Sequence, residues 1–266
     1  MREATADAPV PETERDPMPT MGFLDHLEEL RRRLVYSIVA LVVGFFGCWF
    51  AAPKLVAFMQ APIIKVLHEN HQNEMLVYQH PVDPFNLYVK VAGVAGLFVV
   101  SPFVLYQIWL FIAPGLYRNE KRYFLPFMLS SVSLFLSGGY FAYRIVLPNA
   151  LSVLISFGKA FAPMITIEEY TSLFVTIIVG IGVIFEMPIL VFFLALMGIV
   201  SPGWMWRNIR YSILGIFIVA AIIAPPDIVN MCIFAAPMLV LYVLSIGVAW
   251  LVHPTQRKKR ADKKTQ

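Results

Sequence analysis

Four acidic residues stand where carboxylates are costly or conspicuous. Glu186 lies sixteen residues after Tyr170 and fourteen before Val200, inside an otherwise apolar run. A charge at the centre of a membrane helix costs roughly 2.5–3.5 kcal/mol on insertion scales, so an ionisable group there points to function. It equally fits a polar tie between helices. Asp227 follows Pro225-Pro226 and opens another apolar run, where a carboxylate caps a helix and meets its positive end. Glu29 sits in His26-Leu27-Glu28-Glu29-Leu30-Arg31, and Glu120 in Tyr117-Arg118-Asn119-Glu120-Lys121-Arg122. Each abuts the end of an apolar run and has arginines beside it. Spacing alone allows either a surface ion pair or a receptor for a cationic group. A carboxylate accepts paired N–H bonds from a guanidinium, a fork that lysine cannot reproduce.

No pattern suits catalysis: G-x-S-x-G, a Walker loop and H-E-x-x-H are all missing from the sequence. No catalytic residue, cofactor or metal is expected. His68, His71 and His80 lack a carboxylate or cysteine at ligand spacing and read as loop histidines. Cys48 and Cys232 read as small buried apolar residues.

These groups are carried by a chain built for lipid. Hydrophobic residues make up 59% and charged residues 14% of 266, against roughly 45–50% and about 25% in soluble domains. The net charge of +4 comes from basic residues in the tails and two short loops, not from one aromatic-laced face, so nucleic acid is not an expected partner.

Six apolar runs predict six spans: about 34–52, 85–112, 123–143, the Thr166/Glu169 capping box to 200, 209–224 and 228–251. Arg31-Arg32-Arg33 before the first run resembles a signal-peptide start. That run is about 19 residues, longer than the roughly 7–15 of a signal h-region, and five more spans follow. It therefore reads as an uncleaved span. The 53–84 segment reads as a loop whose Leu55, Phe58 and Met59 form a short helix on the membrane surface. Residues 145–166, with Pro148 and Pro163, read as a second loop on the same side. Pro102 is expected to kink the second span, Lys90 to snorkel outward, and Gly138-Gly139 to allow close packing. The fifth run is short, and Trp204 and Trp206 just before it suit an interfacial anchor.

Sixteen Lys and Arg residues fall on the side of the termini and five on the other. The positive-inside rule then puts both termini in the cytoplasm. The expected organisation is a disordered tail at 1–20, a six-span membrane domain at 21–252 and a basic tail at 253–266. The expected class is an all-α polytopic membrane protein.

An ordered series of motifs adds a resemblance. It comprises His26-Leu27-Glu28-Glu29-Leu30-Arg31-Arg32-Arg33-Leu34, Ala61-Pro62-Ile63, Ser101-Pro102, Tyr106-Gln107-Ile108-Trp109 and Phe111-Ile112-Ala113-Pro114-Gly115-Leu116-Tyr117. Glu120-Lys121-Arg122, Phe185-Glu186-Met187-Pro188 and Pro225-Pro226-Asp227 complete it. In order and placement, over about residues 21–252, this resembles the TatC family of the twin-arginine protein translocase.

The resemblance implies six helices in a curved, cupped bundle in the bacterial inner membrane. It implies binding of the twin-arginine signal peptides of folded precursors. It also implies recruitment of TatA- and TatB-type single-span partners and export driven by the proton-motive force. Carried over by position, Glu29 and Glu120 resemble the signal-reading carboxylates, with Phe111, Leu30 and Arg31 on the same binding surface. Glu186 resembles the polar residue of an intramembrane partner pocket, and Asp227 the polar site of the last outer turn. Lipid contact and a homo-oligomer are further expectations. Some relatives carry glutamine four residues after that aspartate, where this chain has Met231. A proton-coupled secondary transporter would also explain Glu186, but it predicts broken helices in two related halves, and the sequence has no internal repeat. A bare assembly scaffold would tolerate charge changes at Glu29 and Glu120.

Overall fold

The computed structural model describes residues 23–112, 124–158, 161, 163–225 and 227–252. Among the described residues ten α-helices follow one another: α1 Phe23–Trp49, α2 Ala52–Glu69, α3 Asp83–Ile112, α4 Phe124–Phe141, α5 Leu147–Phe157, α6 Ile167–Ile184, α7 Met187–Leu196, α8 Pro202–Arg207, α9 Ile209–Ile223 and α10 Ile228–Val252. A π-turn, Ala142–Val146, joins α4 to α5. Among the described residues the nearest thing to a strand is one bridge, Val77 to Thr166, which ties the α2–α3 connection to the start of α6.

Among the described residues five apolar helical stretches are long enough to cross a bilayer: His26–Trp49, Asp83–Phe111, Leu125–Phe157, Ile167–Leu196 and Ile228–Leu251. The sixth, α9, has 15 residues, about 22 Å at 1.5 Å per residue. It is the short fifth span expected from its apolar run.

Two segments differ from their reading, one as a loop with a short surface helix and the other as a loop. The first is α2. It is an 18-residue helix, and its buried residues Ala52, Val56, Met59, Ile63, Val66 and Leu67 recur at helical spacing. Lys54, Lys65 and His68 lower the mean hydropathy of the segment, but all three lie on its exposed face. So α2 belongs to the core, and Met59 is completely covered. The second is the supposed 145–166 loop, most of which is helix. Pro148 sits in the first turn of α5, where no N–H is required. The π-turn before it closes with Leu147 N–H donating to the Ala142 carbonyl.

Prolines inside helices leave a carbonyl without its N–H partner, and where water is excluded nothing replaces it. Two such carbonyls are satisfied by side chains. Pro62 frees the Phe58 carbonyl, which accepts from the Tyr143 hydroxyl at 2.8 Å. The π-turn carries Tyr143 there, and its ring stacks on Phe58 at 4.2 Å. Pro102 frees the Phe98 carbonyl, which accepts from Ser101 Oγ at 2.8 Å. The serine thus keeps the 30-residue α3 continuous through its proline. Tyr143→Phe is expected to lower stability by about 1–3 kcal/mol, the cost of an orphaned polar group. Thermal unfolding in detergent, with Tyr140→Phe as the control, reads the difference.

The outward face is as apolar as the core, because lipid is the solvent on that side. Hence Cys48 is only half-buried and Cys232 is exposed, not buried as expected. Trp204 and Trp206 of α8 are likewise exposed, with Met205 buried between them.

Candidate functional site

Helices α1 and α3 lie antiparallel, with the start of one beside the end of the other. Two glycines set their spacing. A Cβ on Gly96 would fall 2.8 Å from the Phe45 nitrogen and 2.9 Å from the Gly44 carbonyl carbon. Only glycine lets the backbones meet this closely. Trp49 approaches Phe85 at one end of the pair, and His26 stacks on Phe111 at 4.4 Å at the other.

This register brings Glu29 and Arg33, one turn apart on α1, against Gln107 of α3. Arg33 Nη2 donates to Glu29 Oε1 and Nη1 donates to Gln107 Oε1, both at 3.1 Å. The side chains of Glu29 and Arg33 are 11% and 19% exposed, and Gln107 is buried. Neither Glu29 Oε2 nor Arg33 Nε has a partner among the described residues. Leu30, Arg31 and Arg32 of the same turns are exposed. Glu29 and Phe111 therefore share one end of the bundle. Glu120 lies outside the described residues. The ion pair open to Glu29 in sequence is made with Arg33, four residues on.

A second site forms where the fourth span breaks. Pro188 cannot donate within the helix, and α6 stops at Ile184 before α7 begins at Met187. The Glu186 carbonyl accepts the N–H groups of Ile189 and Leu190 at the start of α7. Its side chain joins a chain of hydrogen bonds from two other helices. Trp109 Nε1 donates to Ser131 Oγ at 2.9 Å, and Ser131 donates to Glu186 Oε2 at 2.5 Å. Glu186 Oε1 has no partner among the described residues. The carboxylate lines an open groove of about 560 Å³ whose other walls are almost wholly apolar, among them Leu97, Leu105, Trp109, Phe135 and Phe193.

A third polar group closes the turn between α9 and α10. Asp227 Oδ1 accepts the Asn230 N–H at 2.7 Å, and Oδ2 accepts from Asn230 Nδ2 at 2.7 Å. This is the capping geometry expected of an aspartate there. Asn230 is fully buried. Met231, one residue on, packs beside the core.

Gln107, Ser131 and Asn230 were not singled out by sequence reasoning. The signal for Gln107 was available, because an amide inside an apolar span needs a partner. Ser131 matters through Trp109 and Glu186, 22 and 55 residues away in sequence, and Asn230, beyond its local bonds to Asp227, reaches the Ala150 carbonyl 80 residues away.

An all-helical chain with membrane-length spans, polar groups inside the apolar layer and a half-buried carboxylate at one end is a polytopic membrane protein. A family model described as "Sec-independent protein translocase protein (TatC)" matches residues 25–237. The Sec-independent protein translocase protein TatC of Koribacter versatilis is 64% identical over 243 residues, 91% of this chain and 90% of that one. Its counterpart from Helicobacter pylori strain J99 is 37% identical over 238 residues, 89% of this chain and 92% of that one. A crystal structure described as the twin arginine translocase receptor TatC superposes with a TM-score of 0.76. It is 36% identical and covers 85% of this chain and 99% of that one. The chain belongs to the TatC family, the multi-span membrane component of the twin-arginine translocase. By family it is a non-catalytic transport subunit and part of a protein complex.

Proposed function

We propose that this chain binds the twin-arginine signal peptides of folded precursors and recruits TatA- and TatB-type single-span partners. Export is then driven by the proton-motive force. The observation that carries the reading is the Glu29 carboxylate. It is largely sheltered, keeps one oxygen without a partner among the described residues, and shares the bundle end with Phe111. A guanidinium needs such an acceptor, and the apolar stretch that follows it in a signal peptide needs lipid or the first spans beside it.

Glu120 supplies the second carboxylate, Phe111 packs beside the arginine pair, and Leu30 and Arg31 border the peptide. Glu186 faces a partner helix across its groove. Asp227 and Asn230 hold the last turn at the opposite end. Both termini lie in the cytoplasm of a bacterial cell, with 21–252 the membrane domain and 253–266 a basic tail. Homo-oligomers and lipid contacts complete the assembly.

Depletion of the chain from its host tests this reading. Export of a folded reporter with a twin-arginine signal is expected to stop, while a twin-lysine version is not exported in either case. Unchanged twin-arginine export would overturn it. Orientation has its own test. A reporter fused after Gln266 is expected to be active only as a cytoplasmic reporter, and one inserted between 69 and 83 only as a periplasmic reporter.

A further inference from the structure

An arginine of the chain itself already occupies the carboxylate assigned to the signal's arginine. The pair is incompletely made. Arginine and carboxylate pair best through two parallel N–H···O bonds. Here Arg33 gives Glu29 one bond at 3.1 Å, because its other terminal nitrogen is drawn to Gln107, also at 3.1 Å. Arg33 Nε and Glu29 Oε2 are left as a buried donor and a buried acceptor with no partner among the described residues. Burying unpaired polar groups is unfavourable, so this arrangement is easier to displace than a two-bond pair.

We propose that Arg33 is a built-in competitor for Glu29, limited to a single bond by Gln107 and displaced when an incoming guanidinium takes both carboxylate oxygens. The inference rests on the signal-binding reading of Glu29. Arg33 has somewhere to go. Its neighbours Arg31 and Arg32 are both exposed, and a long arginine side chain at a helix end reaches water readily.

An internal competitor makes a specific demand of the binding data. It divides the affinity of every ligand for Glu29 by the same factor, the inverse of the fraction of molecules in which the carboxylate is free. It therefore lowers absolute affinity without changing the preference for arginine over lysine. That keeps weak cationic peptides, abundant in any cytoplasm, below occupancy. A residue that merely orients Glu29 would behave oppositely, and its removal would weaken binding.

The test measures twin-arginine and twin-lysine peptide binding to the purified full chain and four variants. Arg33→Gln is expected to tighten both peptides by about tenfold, the factor for a competitor holding nine-tenths of the carboxylate, with their ratio unchanged. Gln107→Leu frees the second terminal nitrogen of Arg33 to pair fully with Glu29, and is expected to weaken both peptides together with their ratio unchanged. Arg32→Gln makes the same charge change at an exposed neighbour and is expected to leave binding near wild type. Glu29→Gln separates the two levels of the argument. If it leaves binding unchanged, the signal-binding reading fails. If it weakens binding while Arg33→Gln, at wild-type thermal stability, gives equal or weaker binding, only the competitor fails. Equal tightening by Arg32→Gln and Arg33→Gln would also overturn the competitor, since net charge would then explain both.

Discussion

Converting Glu29 and Glu120 together to glutamine is expected to remove most of the affinity for a twin-arginine peptide and to lower that for a twin-lysine control by much less. A guanidinium–carboxylate pair sheltered from water is worth about 2–5 kcal/mol by truncation, and an exposed pair under about 1 kcal/mol. Glu29, with 11% of its side chain exposed, stands near the sheltered case. About 2 kcal/mol corresponds to a roughly thirtyfold loss at that residue alone. Glutamine preserves size and one acceptor, so the loss reports charge and the second bond. Fluorescence anisotropy of labelled peptides with purified protein measures it. The arginines around both acids leave the site only locally negative, so each carboxylate is expected to count.

The second large effect is expected at Glu186. Ser131 satisfies one of its oxygens and nothing described satisfies the other, in a groove otherwise almost wholly apolar. A polar group on a partner helix would complete it. Glu186→Ala should therefore abolish most crosslinking between groove cysteines and a TatA- or TatB-type helix, while twin-arginine peptide binding stays within about twofold of wild type, as expected of sites without shared contacts. Ser131→Ala provides the complementary perturbation. It leaves both carboxylate oxygens and the Trp109 N–H unpartnered among the described residues, with an expected loss of about 1–3 kcal/mol in stability. Full partner crosslinking by Glu186→Ala would remove the groove from the account of recruitment.

Much of this was legible in the chain. Span number followed from apolar run length, because lipid penalises every other arrangement of backbone. The short fifth span and the cap at Asp227 were read from local sequence alone. What escaped was set by tertiary context. Leu55, Phe58 and Met59 marked a short helix, but averaged hydropathy hid the length and burial of α2, although Ala52, Val56, Met59 and Ile63 carried the helical period plainly. Pro148 looked like an end because proline usually is one, and only the π-turn before it makes it a beginning. Pro62 and Pro102 marked the need for substitute donors. Ser101 could be guessed as one such donor, whereas Tyr143 comes from 85 residues away. The Arg33–Glu29 pair is an ordinary i,i+4 contact. That Gln107 pulls it open depends on the α1–α3 register, which Gly44 and Gly96 fix. That register itself has a cost when disturbed. Gly96→Val is expected to separate the helices and destabilise the fold by roughly 1–3 kcal/mol, the usual cost of overpacking, as read by thermal unfolding.

Site-specific photocrosslinking shows where on the chain the signal binds. Photoreactive residues are placed singly through 21–34 and 113–122, and a twin-arginine precursor is added to membranes. Crosslinks are expected from both segments, strongest near Leu30 and near Glu120, and lost when the signal carries two lysines. Crosslinks confined to other regions, with both segments silent at wild-type protein levels, would contradict the assignment of signal recognition to Glu29 and Glu120.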